Sequence, residues 1–257
     1  MSYQEVMKSC TVVACYFGER RNYPYNTEGA IKVNEFNINR LKNLDTGVKS
    51  DLILVNHLSD TKNPARKISK DFLSQYDGQK TKNGKIKVIH RPHENGIGLG
   101  FKSFDYAFKK LKNQYEYWFY LEDDCTIQTE KYISKCIKQL KALKKQNVCY
   151  SCCVGGYFGG CSKTGVKGKL VTGEEERNCH KTYKLGVHCH GAIGCTHRDF
   201  LNAVIDKYGN LPYTSDTNYD ETSGEVAFTN ILVKMGYNLC ISQDVIAGPI
   251  KKGDISI

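Results

Sequence analysis

Tyr117 to Leu121, Y-W-F-Y-L, is apolar or aromatic at every position and runs directly into three carboxylates, Glu122, Asp123 and Asp124. A segment of this kind, apolar on both faces, has the pattern of a strand enclosed in a parallel sheet, and such sheets carry ligands at the carboxyl ends of their strands. Adjacent acids beside a core repel one another unless a cation, hydrogen-bond donors or water offset the repulsion. The stretch predicts an α/β fold with an acidic site at the end of a buried strand. A strand that simply left the core into solvent would carry the same acids at little cost, so the flanking pattern has to decide.

That pattern alternates strand and helix. Thr11 to Phe17 is an apolar strand that opens at Gly18 into a loop holding Arg20 and Arg21, and Thr27 to Leu44 has helical spacing. Asp51 to Leu58 is a second buried strand ending near Asp60, and strand, helix, strand implies a right-handed crossover and a parallel pair. Asp71 to Gln79 is expected as a short helix and Lys85 to His90 as the third strand. After Arg91 to Gly100 comes a helix with Phe101, Phe104, Ala107, Phe108 and Leu111 on one face. Its glycines read G-x-G-x-G, unlike the dinucleotide fingerprint, which disfavours a nicotinamide enzyme; a glycine loop still brings backbone N–H groups close to an anion, with Lys102 nearby. Helices at 132–143, 198–205 and 226–235 and strands at 148–154, 191–195, 238–242 and 245–247 follow. Asp220, Glu221 and Glu225 precede the last helix, which stops at Gly236.

The 257 residues carry no Pro/Gly/Ser linker, so 1–257 is expected to be one domain. Apolar runs fall far short of the roughly 20 residues that span a bilayer, and the first ten residues lack the apolar centre of a secretory signal. A soluble, cytoplasmic protein is expected, with its 12 cysteines as free thiols. The net charge of +10 sits mainly on lysine-rich helix faces and favours anionic ligands; it admits peripheral contact with a membrane surface.

The order of elements, with E-D-D closing a mid-chain strand and a second acidic cluster before a late helix, resembles the GT-A fold of nucleotide-sugar glycosyltransferases across roughly Thr11 to Ala247. L-E-D-D-C-T-I looks like the E-D-D version of the D-x-D motif, and Gly224 to Tyr237 is similar to the family 2 segment that runs from an acid through a helix to G-Y. The resemblance implies a single GT-A, Rossmann-like domain with a mixed, mainly parallel sheet. Its nucleotide-sugar half would span about 10–125 and its acceptor half about 126–257. It implies Asp124 and Glu122 as ligands of Mn2+ or Mg2+, with Glu122 and Asp123 also contacting the ribose and metal shell. Phe17, Arg20, Arg21, Asn56 and Asp60 fall where such folds hold base and ribose, and Asn95 and Gly96 match the N-x-G loop. Glu225 falls on the catalytic carboxylate of an inverting transfer, with Asp220 and Glu221 as competitors; a retaining enzyme would use Glu225 otherwise. The implied partners are a nucleotide-diphosphate sugar, a UDP-sugar foremost, and a glycan or glycoconjugate acceptor, with no nucleic acid. No histidine follows His197, so the carboxyl-terminal metal ligand of many relatives is missing; either Asp244 substitutes for it or the metal takes a single protein ligand.

Three rivals stand beside this reading. G-E-R-R-N-Y-P after the first strand suggests a sugar-phosphate nucleotidylyltransferase, whose signature would need more glycines. The charge and 17 tyrosines are compatible with a basic nucleic-acid-binding protein, for which no motif is present. Cys179, His180, His188, Cys189, His190, Cys195 and His197 invite a zinc site, yet only Cys149 and Cys152 have C-x-x-C spacing, and buried thiols with scattered histidines fit better. His188 or His190 lining an acceptor pocket is the remaining reading.

Overall fold

The computed structural model describes residues 8–17, 27–57, 65–92, 100–153, 155–157, 170–171, 187–189, 193–211, 228–229, 231–232, 234–242 and 244–250. Its centre is a sheet in the order β3-β2-β1-β4-β10-β6-β11-β8. The strands are β1 (Ser9–Cys15), β2 (Ser50–Asn56), β3 (Ile86–His90), β4 (Tyr117–Glu122), β6 (Val148–Cys152), β8 (Leu170–Val171), β10 (Gly194–His197) and β11 (Asn238–Ile241). β1 runs parallel to β2 and β4, and β2 parallel to β3. β10 is antiparallel to both β4 and β6, and β11 is parallel to β6. This is the mixed, mainly parallel sheet of a GT-A, Rossmann-like α/β fold.

The interior strands are apolar on both faces because both faces are covered. Along β4, Trp118 and Tyr120 enter one core with Cys10, Val12 and Ala14 of β1, while Tyr117, Phe119 and Leu121 enter the other with Val13 and Cys15. Helix α3 (Gly100–Leu111) fills the first core through Phe101, Phe104 and Phe108, beside α5 (Arg198–Tyr208) and the helical residues Phe228, Ile231 and Leu232. Helices α1 (Thr27–Asn43), α2 (Ala65–Ser74) and α4 (Tyr132–Ala142) cover the second. Full burial of each such aromatic contributes about 1.5–3 kcal/mol. β10 passes so close to β6 that a Cβ on Gly194 would stand 2.3 Å from the Ser151 carbonyl, so only glycine fits there.

Several expectations shift. The helix expected at 71–79 lies at Ala65–Ser74, with Ser69 and Leu73 as its buried i, i+4 pair, and residues 75–78 form turns. The strand expected at 191–195 is β10, Gly194–His197, and the closing strand at 245–247 is β12 (Ala247–Pro249). β12 pairs antiparallel with β5 (Cys125–Ile127), which begins directly after the acids. β7 (Gly155–Tyr157) and β9 (Val187–Cys189) form a further small antiparallel pair. The last helix does stop at Gly236, which has φ of +78°. Among the described residues eight cysteines are buried free thiols, as expected, but Cys152 is disulfide-bonded, so the expectation of free thiols throughout does not hold. Among the described residues no helix is long and apolar enough to cross a membrane.

Candidate active site

The sheet order changes direction between β1 and β4: from β1 the chain moves outward to β2 and β3, then returns to place β4 on the other side. A crevice opens at the carboxyl ends of the strands flanking such a switch point. The E-D-D segment lies there. Glu122 ends β4, Asp123 and Asp124 form a turn, and β5 follows.

The three acids have different surroundings. Asp123 is buried, and its Oδ2 accepts the Tyr16 amide at 2.7 Å and Asn34 Nδ2 at 2.9 Å. Asn37 Nδ2 donates to the carbonyls of Asp123 and Cys125, and the Asp123 amide donates to Ala14 O. Asn34 and Asn37, one turn apart on the buried face of α1, thus clamp the turn from below. Donors converging on a buried carboxylate stabilise it strongly, so Asp123 holds the turn in shape. Glu122 and Asp124 are only half-buried. The Asp124 carbonyl accepts the Ile250 amide at 2.7 Å, which brings the chain after β12 beside the turn.

Glu122 reaches toward the start of α3. A Cβ on Gly100 would lie 2.8 Å from Glu122 Oε1 and 3.1 Å from the Tyr16 hydroxyl, so the glycine leaves room for both groups at the helix amino end. Tyr16 packs on His57, with ring centroids 4.3 Å apart. His57 Nδ1 faces Arg91 Nη1 at 3.1 Å and Ser103 Oγ at 2.7 Å; the guanidinium can only donate, so Nδ1 accepts and the ring proton lies on Nε2. Tyr16, His57 and Arg91 follow the carboxyl ends of β1, β2 and β3; Arg91 and Ser103 meet His57, whose ring packs on Tyr16. Arg91 is 2% exposed, a deep position for a guanidinium.

The remaining candidates divide. Asn56 is buried at the end of β2, donating to Ser69 Oγ at 2.9 Å and lying 3.4 Å from His90 Nδ1. Lys102 is buried in the first turn of α3. Phe17 is fully buried and packs edge-on against Phe72 of α2, a core position that presents no surface to a ligand. Arg20, Arg21, Asp60, Asn95, Gly96, Asp220, Glu221 and Glu225 lie outside the described residues, as do the side chains of His188 and His190. Leu211 N bonds Asp105 Oδ1 of α3 at 2.8 Å and Phe228 stacks near Phe101, so residues on both sides of the 212–227 segment are fixed against α3. Asp244 N-flanks β12, and its carbonyl accepts Lys135 Nζ at 3.4 Å.

The zinc reading gains nothing among the described residues: no group of three or more His, Cys, Asp or Glu there is placed to hold a metal. His197 instead caps α5, its Nδ1 accepting the Asp199 amide at 3.1 Å, and Cys195 is a buried thiol in β10.

Sequence reasoning missed Tyr16, Asn34, Asn37, His57, Arg91 and Ser103. Two signals were available. Tyr16, His57 and Arg91 each follow the end of a buried strand, and Asn34 and Asn37 occupy i, i+3 positions on the helix face otherwise filled by Ala30, Ile38 and Leu41.

No family model matches the chain, and no curated protein matches it. Among solved structures, the crystal structure of S. aureus TarS is similar to it with a TM-score of 0.52 and 14% identity, over 96% of this chain and 38% of that one. A 4-diphosphocytidyl-2C-methyl-D-erythritol synthase from Anaerococcus prevotii has a TM-score of 0.43 and 15% identity, over 92% of this chain and 85% of that one. The inositol-1-phosphate CTP transferase of T. maritima has a TM-score of 0.45 and 13% identity, over 99% and 94%. Of these, the TarS likeness bears on the fold, and the chain spans well under half the length of TarS.

Proposed function

We propose that this chain is a metal-dependent glycosyltransferase that moves a sugar from a nucleotide-diphosphate sugar, a UDP-sugar foremost, to a hydroxyl of a glycan or glycoconjugate. The observation that carries the reading is the E-D-D turn at the switch point of a GT-A sheet, with its buried middle acid spent on holding the turn and its outer acids half-buried beside it. TarS, a GT-A-like glycosyltransferase, shares the fold and supports the class of reaction.

The residues present fit a hard divalent cation. Glu122 and Asp124 offer carboxylate oxygen from two ends of a rigid turn, and Mg2+ or Mn2+ commonly takes one or two carboxylates and fills its other positions with phosphate and water. Bound there, the ion would neutralise negative charge developing on the departing diphosphate. The chain's own groups do the rest. Asp123, Asn34 and Asn37 fix the turn; Gly100 lets Glu122 approach the amino end of α3, where backbone N–H groups favour an anion. Arg91 and Ser103 fix the His57 ring, on which Tyr16 packs. The acceptor hydroxyl is deprotonated by a carboxylate from the segment between Leu211 and Phe228, with Glu225 as the base and Asp220 as its competitor, in an inverting displacement. In this reading, residues of about 10–125 hold the donor and residues of about 126–257 the acceptor.

The test supplies a panel of nucleotide sugars with Mn2+ and follows release of the nucleoside diphosphate. Transfer by the native chain, lost in Glu225→Gln with donor binding retained, supports the proposal. Release of pyrophosphate from a nucleoside triphosphate and a sugar phosphate, without transfer from any nucleotide sugar, would replace it with the nucleotidylyltransferase reading.

A further inference from the structure

Four free thiols share the second core, beneath α4. Cys136 is on the helix, Cys195 on β10 and Cys240 on β11, and Cys153 follows β6. Cys195 and Cys240 both stand opposite Ser151 of β6, one on each side, and Cys153 comes two residues after Ser151 on the same face. The helix is seated on this row: Ser151 Oγ donates to Gln139 Oε1 at 2.7 Å, and Gln139 Nε2 donates to the Ile241 carbonyl at 3.1 Å. One turn back along α4, Cys136 Sγ lies 3.8 Å from Cys153 Sγ, across 17 positions of the chain. Among the described residues no three metal-ligating side chains are placed to hold an ion, so the chemistry open to the cluster is that of thiols.

Geometry selects one pair. A disulfide needs Cα atoms within about 7 Å. Cys195 and Cys240 are two strand spacings apart, roughly 10 Å, and cannot bridge. Cys153 is displaced from each of them by one strand and two residues, about 8 Å. Cys136 and Cys153 already have their sulfurs in contact, and bonding closes the gap by less than about 2 Å. Cys153 is 6% exposed and Cys136 fully buried, so Cys153 is the sulfur a reagent meets first. Cys152, its neighbour in the other core, is disulfide-bonded, so this strand end already carries oxidised sulfur.

We propose that Cys136 and Cys153 are a redox pair, oxidised to a disulfide by a low-molecular-weight disulfide of the glutathione type and restored by the corresponding thiol. The Cys153 thiolate attacks one sulfur of the oxidant, the S–S bond breaks, and one small thiol leaves with the proton from Cys153. Cys136 then attacks the Cys153 sulfur of the mixed disulfide and expels the second small thiol, which takes the Cys136 proton. The two protein thiols lose two electrons, and one small disulfide becomes two thiols. The new bond ties α4 to the end of β6, where the Cys153 amide donates to the Ile193 carbonyl at 2.8 Å beside the entry to β10. Burial, ahead of the contact with Cys136 and the nearby thiols of Cys195 and Cys240, raises the Cys153 thiol well above its ordinary value. Exchange is therefore slow at neutral pH and quickens as pH rises. The pair does not depend on the transferase reading.

The experiment equilibrates the full chain with oxidised and reduced glutathione, alkylates the remaining thiols and sequences the linked peptides by mass spectrometry. The expected result is the loss of two thiols per chain and one new link, Cys136 to Cys153, with both thiols recovered when reduced glutathione is in excess. Closing a loop of this length raises Tm by about 5–10 °C. Cys136→Ala and Cys153→Ala each abolish the link and the rise in Tm, whereas Cys195→Ala and Cys240→Ala keep both. The map of the native chain needs no substitution, so it decides the matter even where a variant fails to fold. Folded native chain that keeps both thiols, that stops at a glutathione adduct on Cys153, or that links either sulfur to a different cysteine would overturn the proposal.

Discussion

Asp123 accepts the backbone N–H of Tyr16 at 2.7 Å and, through the same oxygen, the side-chain amide of Asn34 at 2.9 Å. One carboxylate therefore binds the turn after β4 to the end of β1 and to α1. The middle acid of E-D-D reads in the sequence as a ligand-facing group; at least one of its oxygens is occupied by the protein.

Asp123→Ala leaves the buried Tyr16 amide without its acceptor, while Asn34 Nδ2 keeps the Ala30 carbonyl at 2.9 Å, and is expected to cost about 1–3 kcal/mol, the cost of one orphaned donor. Urea denaturation measures it as a lower midpoint with an unchanged m-value. A loss below about 0.5 kcal/mol would show that the turn is held by other contacts.

Gly100→Ala should separate folding from the site. The added methyl meets the far ends of two side chains, Glu122 Oε1 and the Tyr16 hydroxyl, which can swing aside. Stability should change by less than about 1 kcal/mol, helped by the better helix propensity of alanine. Displacing Glu122 should weaken metal-dependent nucleotide binding several-fold, read by calorimetry on the same protein.

At the opposite end of the sheet, Asp51 accepts the Tyr115 hydroxyl at 2.7 Å and pairs with Lys87 at 3.2 Å. Burial alone would raise its pKa, but the Tyr115 hydroxyl, the Lys85 amide and Lys87 together hold it below the ordinary aspartate value. Because the folded-state pKa is the lower one, this carboxylate stabilises the fold above the unfolded value of about 4 and loses that contribution as pH falls through the folded value. Asp51→Asn should therefore be destabilising at pH 7, and its gap from the native chain should narrow below about pH 4. Equal gaps at pH 7 and pH 2.5 would contradict the assignment.

The strands β1 to β4 were legible because an interior parallel strand must be apolar on both faces, and Phe101, Phe104 and Phe108 marked α3 by their spacing alone. What stayed hidden depends on contacts distant in the chain. Nothing near Gly194 announces that β10 runs antiparallel between β4 and β6. The pairing of β5 with β12 joins three-residue strands about 120 positions apart in the chain, Cys125 opposite Pro249. The resemblance put Phe17 among the groups that hold base and ribose, yet its side chain is buried against Phe72. Asn34 and Asn37 read as ordinary helix residues, because only the folded chain brings the acidic turn over them.

The most direct test of the account is calorimetric titration of UDP into the native chain and into Asp124→Ala, each with Mn2+ and with a chelator. Asp124 is half-buried in the turn after β4, so its loss should alter stability by less than about 1 kcal/mol. The account predicts saturable UDP binding to the native chain only with metal, and none to folded Asp124→Ala under either condition. Binding that survives the chelator, or that is the same in Asp124→Ala, would contradict a metal-nucleotide site at the acidic turn.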